Sequence, residues 1–336
     1  MMRRRRFLAL LLLAATVFAC GPRGAETPGP VRLVFSGGPE GGTFQYFSNG
    51  IAIRLSRTIA GLEVSNTASA GSLENLRRVD SGEVDFGIVY SGDTWLGRNG
   101  RLTQDPRRYE NVLALAFLYG APAHLVVLAG SGIDGVEDLA GQRVAVGGAG
   151  SGAASAAERY FTSLGLWDEM EVEFLGYSKA ASALGDHLID AFWVLAGHPN
   201  ASVIQAAASN EIKLLGVADA ADRAGFFEHY PFYTEVALPA GIYRGVDEDV
   251  ASFQDAALWV AGRHVAPEQV HAALTEIFSA AGLAYLAKVK STARAMSVEG
   301  ALNGIVTPVH PGAARFWKEQ GLELGPESSA EMPAAP

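Results

Sequence analysis

The apolar and polar positions of this chain fall into a repeated order: a short apolar run, a turn of small residues, then apolar residues at helical spacing. Residues 31–35 form an apolar-rich run bounded by turn residues, which predicts a buried strand. The glycine-rich turn Ser36-Gly37-Gly38-Pro39-Glu40-Gly41-Gly42-Thr43-Phe44 follows. Residues 47–55 then carry apolar side chains at helical intervals. The unit recurs as strand 62–66, turn 67–72 and helix 73–79, with Ser72 in the N-cap position and Asn75 at the third helical position. A third strand spans 85–90 and runs into the turn 91–95. Successive units of this kind imply right-handed crossovers and a parallel sheet, whose turns collect beyond the strand C-termini where open α/β sheets bind ligands.

Residues 112–118 and 124–128 read as two further strands, the second leaving the first group. A short helical connector over 133–142 leads to a second series. It comprises strand 143–146, turn 147–152, helix 153–164, strand 171–174, helix 177–184, strand 190–194, helix 201–208 and strand 213–217. From Tyr230 the pattern changes: 236–242 and 256–261 read as strands, 267–290 as one long helical stretch and 312–320 as a last helix. The expected organisation is α/β with a first lobe over 31–125, a second over 126–229, and a return to the first over 230–325. Residues 326–336, rich in Pro, Ser, Glu and Ala, are expected to be a disordered tail.

Two of the turns share one device. Ser36 to Phe44 and Gly147-Gly148-Ala149-Gly150-Ser151-Gly152 each join a strand to a helix start. Glycines let the backbone approach a ligand, and the first N–H groups of a helix have no partner inside it, so both turns suit an anion. A ligand carboxylate is expected on the Gly42, Thr43 and Phe44 amides. The small-residue turn with Ser69, Gly71 and Ser72 would stand beside it, and Ser151 and Gly152 are the candidates from the second lobe. Trp193, at a strand end, is a candidate for stacking, with a place in the core as the alternative. Phe44 is equally a core anchor of the first helix, and Ser72 and Ser151 suit plain N-caps.

The start of the chain changes the picture of where this happens. Arg3–Arg6 form a basic block, 7–17 are almost wholly apolar, and Val17-Phe18-Ala19-Cys20 resembles a lipobox, so 1–20 read as a secretory signal with Cys20 as the lipidated residue. Residues 21–30 read as a tether. Cys20 is the only cysteine, which rules out an intramolecular disulfide and thiol catalysis in the mature chain. Without Arg3–Arg6 the chain carries 22 basic and 36 acidic residues, a balance of −14. That charge argues against nucleic acid or an anionic membrane surface as partner.

Enzyme signatures are few. The seven histidines show no metal-ligand spacing, there is no G-K-[ST] triplet, and alanines replace the glycines that a nucleophile elbow needs around Ser151. No metal and no cofactor is expected. One competitor has content: Gly148 to Ala153 matches G-x-G-x-x-A, with Glu171 or Glu173 about 20 residues on, the layout of a dinucleotide fingerprint. The alternative reading is therefore an exported nucleotide-dependent enzyme; a ligand sensor for a membrane kinase is another.

Four blocks carry a family resemblance: Ser36 to Phe44, Gly71-Ser72-Leu73-Glu74-Asn75-Leu76-Arg77, Ser81-Gly82-Glu83-Val84-Asp85-Phe86-Gly87-Ile88-Val89, and Val309-His310-Pro311-Gly312-Ala313-Ala314-Arg315. With the lipobox they make the chain similar to a solute receptor of the TAXI branch of tripartite ATP-independent periplasmic (TRAP) transporters. The resemblance implies a two-lobed periplasmic-binding-protein type II fold, each lobe a mainly parallel sheet flanked by helices. It also implies a ligand cleft between the lobes, a small carboxylate such as glutamate or 2-oxoglutarate, and delivery to a TRAP-type membrane permease. Carried onto this chain, Gly42, Thr43 and Phe44 hold the ligand beside Gly71 and Ser72, and Tyr90 and Ser91 close that side. The chain departs from the family at Phe44 and Gln45, where Tyr is usual, and at Tyr90, where Gln is usual. Arg54, Arg57 and Arg244 are the cations available to balance a ligand charge.

Overall fold

The computed structural model describes residues 29–325 apart from Glu40 and Gln104. The signal segment, Cys20 and the expected tail lie outside the described residues. The first series of apolar runs gives β1 (Val31–Ser36), α1 (Thr43–Thr58), β2 (Leu62–Thr67), α2 (Ser72–Asp80), β3 (Phe86–Tyr90) and α3 (Ser91–Arg98). β4 (Val112–Leu128) is followed by β5 (Arg143–Ala145), α4 (Gly152–Ser163), β6 (Glu171–Glu173), α5 (Tyr177–Gly185), β7 (Ala191–Leu195), α6 (Ala201–Ser209) and β8 (Ile212–Leu215). The remainder is α7 (Ala218–Arg223), α8 (Phe226–His229), β9 (Thr234–Leu238), β10 (Val250–Gly262), α9 (Pro267–Ile277), α10 (Ala280–Val289) and α11 (Pro311–Glu319).

Strands hydrogen-bond in the order β2-β1-β3-β10-β4-β7-β5-β6, with β8 also on β4 and β9 also on β10. β1 is parallel to β2 and β3, and β5 is parallel to β6 and β7, as crossover connections demand. Two α/β lobes result, joined by the two longest strands. β4 pairs antiparallel with β10 up to Pro122, then with β7 and β8 from Ala123 onward. β10 pairs with β9 at its start and with β3 at its end.

Here the structure corrects the sequence reading. Residues 112–118 and 124–128 are one continuous strand, although Gly120 and Pro122 suggest a break. Proline lacks an N–H, but Pro122 sits where the strand changes partners and uses only its carbonyl, toward Ala196 N and His124 Nδ1. β10 begins six residues before the expected 256, because its first half pairs with β9. The stretch 267–290 is two helices that meet at 73°, broken where Ser279 caps α10 by accepting from Gly282 N. Only Val136–Leu139 of the expected connector is helical, as one 3-10 turn.

Each lobe has its own aromatic core. Phe35, Phe86 and Trp259 pack together in the first, and Tyr160, Phe161, Trp193, Phe226 and Phe253 in the second. The C-terminal helices return to the first lobe. Gly50 on α1 lets Leu286 and Val289 of α10 come close, and Trp317 on α11 donates its indole N–H to the Leu115 carbonyl at 2.7 Å.

Candidate functional site

One cavity of about 90 Å³ lies where the lobes meet. From the first lobe it is lined by Pro39, Gly42, Thr43 and Phe44 at the start of α1, and by Ala70, Gly71 and Ser72 at the start of α2. From the second lobe come Gly148, Ser151, Gly152 and Ala153 at the start of α4, and Gly176 and Tyr177 at the start of α5. Tyr90, Tyr119, Leu195 and Ala196 complete it. Four helix N-termini thus converge, two from each lobe, and no charged side chain lines the cavity among the described residues.

The local sequence explains how the turns hold this shape. Gly71 has φ 120°, in the region where a side chain is strained, and Gly41 turns the first loop with φ 75°. Asn75 is fully buried beneath both turns: its amide donates to the Gly37 and Ile88 carbonyls at 2.7 and 2.8 Å, and its oxygen accepts from Ser36 Oγ at 2.7 Å. Gln45 braces the first turn rather than facing the cavity, accepting from Gly38 N and donating to Asn66. Ser151 is the N-cap of α4, accepting from Ala154 N at 3.1 Å. Ser72 is not an N-cap. Gly71 holds that position, and the Ser72 hydroxyl accepts from Tyr90 N at 2.9 Å, tying the second turn to the third strand.

Of the residues singled out from sequence, Gly42, Thr43, Phe44, Gly71, Ser72, Tyr90, Ser151 and Gly152 all line the cavity. Three do not. Ser69 lies beside it, donating to the Gly37 carbonyl and accepting from Gly71 N. Ser91 is buried beneath it and donates to the Gly304 carbonyl at 2.5 Å. Trp193 is fully buried in the second lobe's aromatic core, stacked on Tyr160 at 5.5 Å, and has no face toward the cavity. Arg54 is held by Glu276 and Arg244 reaches the Asn210 carbonyl, so neither supplies a cation to the cavity. Sequence reasoning missed Tyr119, Gly176 and Tyr177. The helix from Tyr177 was legible, and its N-terminus was the available signal.

The lobes touch around the cavity. Tyr90 of the first lobe and Tyr177 of the second both donate to the Leu195 carbonyl, at 2.5 and 2.9 Å. Burial pushes both phenols above their ordinary pKa, so they remain protonated donors. Behind Gly152, Arg159 on α4 reaches Asp93 on α3 at 3.2 Å and the Tyr233 hydroxyl at 2.7 Å, with Asp255 close by. Burial raises the Asp93 pKa against the pull of Arg159 and Ser72. Asp255 is pushed up to about 8 by burial and by Asp93. Burial works to lower the Arg159 pKa, yet Tyr233 and Asp93 outweigh it and hold it raised.

Two α/β lobes sharing crossed strands around a cavity lined by both define the periplasmic-binding-protein fold. Residues 35–321 match the NMT1-like family, and the chain belongs to it. Among solved structures it resembles MatC from Rhodopseudomonas palustris with bound malate, at 17% identity and a TM-score of 0.52, over 87% of this chain and 97% of that one. The periplasmic aliphatic sulphonate binding protein SsuA from Escherichia coli aligns at 15% identity and a TM-score of 0.46, over 88% and 91%. A TctC solute binding protein from Polaromonas aligns at 16% and 0.45, over 81% and 88%. The likeness to MatC supports the fold.

Proposed function

We propose that this chain is an extracytoplasmic solute receptor that closes its two lobes on a small organic carboxylate. The observation that carries this reading is the meeting of four helix N-termini, two from each lobe, on one cavity. Their open N–H groups and dipoles stabilise an anion without a basic side chain, each by up to about 2 kcal/mol in a partly buried setting. The ligand touches both lobes only when they are closed, so binding favours closure. Gly42, Thr43, Phe44, Gly71, Ser72, Tyr90, Ser151 and Gly152 would form the site. The TAXI resemblance supports TRAP-type integral membrane subunits as the partner, and Cys20 as the lipid anchor that keeps the receptor at the membrane. The dinucleotide reading of the second turn has little room. Gly152 packs against Asp93, Ser72 and Tyr90 of the first lobe, and a cavity of about 90 Å³ is small for two nucleotides.

The test is thermal melting of the chain without residues 1–20 against organic acids, amino acids, phosphate and nicotinamide cofactors. A ligand at a hundred times its Kd adds about 2.7 kcal/mol, a shift of a few degrees for a protein of this size. A shift with an organic acid and none with cofactors is expected. A shift with cofactors alone overturns the receptor reading.

A further inference from the structure

The segment Phe226-Phe227-Glu228-His229-Tyr230-Pro231-Phe232-Tyr233 places five aromatic rings in eight residues, and none of them lines the cavity. Its base is fixed to the second lobe. Phe226 is fully buried in that lobe's aromatic core, and Tyr230 and Tyr233 pack on it at 5.2 and 4.9 Å. The Tyr233 hydroxyl accepts from Arg159 Nε and Nη2 of α4 at 3.0 and 2.7 Å. Phe232 crosses to the first lobe. Its ring lies on Gly92, the second residue of α3, and 6.0 Å from the ring of Trp95 on the same helix. Glycine makes the socket: a Cβ at position 92 would fall on Cδ2 and Cε2 of the Phe232 ring. Positions 92 and 95 share a helix face, so the ring spans both, and Arg101 covers the Trp95 ring at 5.1 Å. Phe232 is left 9% exposed, although Pro231 before it is exposed.

This contact joins a side chain anchored in one lobe to a socket in the other, so it exists only while the lobes are together. Opening returns the ring, its glycine floor and one face of Trp95 to water, which disfavours the open state in proportion to the apolar area exposed. Neither partner reaches the cavity, so the effect does not depend on which molecule lies there. We infer, resting on the receptor reading above, that Phe232 is a closing plug, a positioning residue that seats on Gly92 and Trp95 and sets how long the closed receptor holds its ligand. The plug seats after the lobes have met. Removing it therefore speeds release and leaves capture unchanged.

Stopped-flow tryptophan fluorescence and calorimetry on the chain without residues 1–20 test this, with glutarate, 2-oxoglutarate, glutamate, lactate, pyruvate and alanine as probes. Phe232→Ala is expected to release each probe that the parent binds about tenfold faster or more, by the same factor for every probe. Its association rate, and its melting temperature without probe, are expected to match the parent's. Gly92→Ala fills the socket and keeps all five rings of the segment, and the same acceleration is expected of it. Release as slow as the parent's in both variants overturns the inference. So does a loss confined to the association rate, or a melting temperature that falls without probe while release is unchanged, which would make Phe232 a packing residue; in these cases the receptor reading stands, because the parent still binds. Absence of binding of every probe by the parent overturns the receptor reading and this inference together.

Discussion

Adding one methyl group at Gly152 should separate closing from folding. Gly152 is the first residue of α4, at a helical position that any residue can adopt, and in an isolated helix alanine is favoured there over glycine. A Cβ built on it would lie 2.4 Å from Asp93 Oδ2, 2.6 Å from Ser72 Cβ and 2.8 Å from Tyr90 Cδ2. All three belong to the first lobe, so the clash exists only when the lobes meet. Overpacking of this kind costs about 1–3 kcal/mol. Because the cost falls on the closed state, it should appear as a fivefold to hundredfold weaker Kd, roughly, with thermal stability in the absence of ligand no lower than that of the parent. Gly148→Ala is the control: it lines the same cavity, and its added methyl meets nothing within 4 Å. Kd by calorimetry and radius of gyration by X-ray scattering, each with and without ligand, give the readout. A Gly152→Ala protein that binds and compacts like the parent would refute the argument that Gly152 is where the lobes close.

Other perturbations test the surroundings of the site. Arg159→Met strands the Asp93 carboxylate of the first lobe when the lobes meet, so its cost of about 3–5 kcal/mol should fall on the closed state and appear as a ligand Kd at least about a hundredfold weaker. Asp255 has a folded pKa of about 8 against an ordinary 3.8, so the folded protein holds a proton that the unfolded chain releases. Its contribution is full below about pH 4 and is lost as the pH rises through 8. Relative to Asp255→Asn, the parent should therefore lose several kcal/mol of stability across that window, read from urea midpoints at a series of pH values. Trp193→Ala should lose about 3–5 kcal/mol of stability while leaving ligand Kd unchanged, since the ring belongs to the core.

Much of this site was legible because glycine and small residues punctuate the chain where strands end and helices begin. The Ser36 to Phe44 and Gly147 to Gly152 turns could be placed at a sheet edge from that signal alone. What stayed hidden depends on long-range pairing. Gly120 and Pro122 look like strand breakers, and only the exchange of partners from β10 to β7 and β8 shows why β4 runs through them. Tyr119 was lost with that misreading, since it sits at the apparent break. Trp193 was misplaced for a different reason. Every residue of β7 is buried, so the strand has no polar alternation to tell which face looks toward a ligand. Ser72 was assigned one position too early because serine is a common N-cap, whereas the left-handed backbone at Gly71 fills that place.

The crossed strands also set an order of assembly. β10 lies between β3 and β4, pairing Ala257 with Tyr90 on one side and Tyr119 on the other. The half of the molecule whose first strand begins at Val31 therefore cannot complete its sheet until residue 262 is available, and α9 to α11 must still cover it. The second lobe's β5, β6, β7 and β8 pair only with one another and with β4, so their pairings are complete once Leu215 is made. A chain emerging from its N-terminus begins one half first and finishes it last, and pairings so distant in sequence are slow to form. In the exported receptor proposed above, that delay would keep the earliest segment open while the rest of the chain follows.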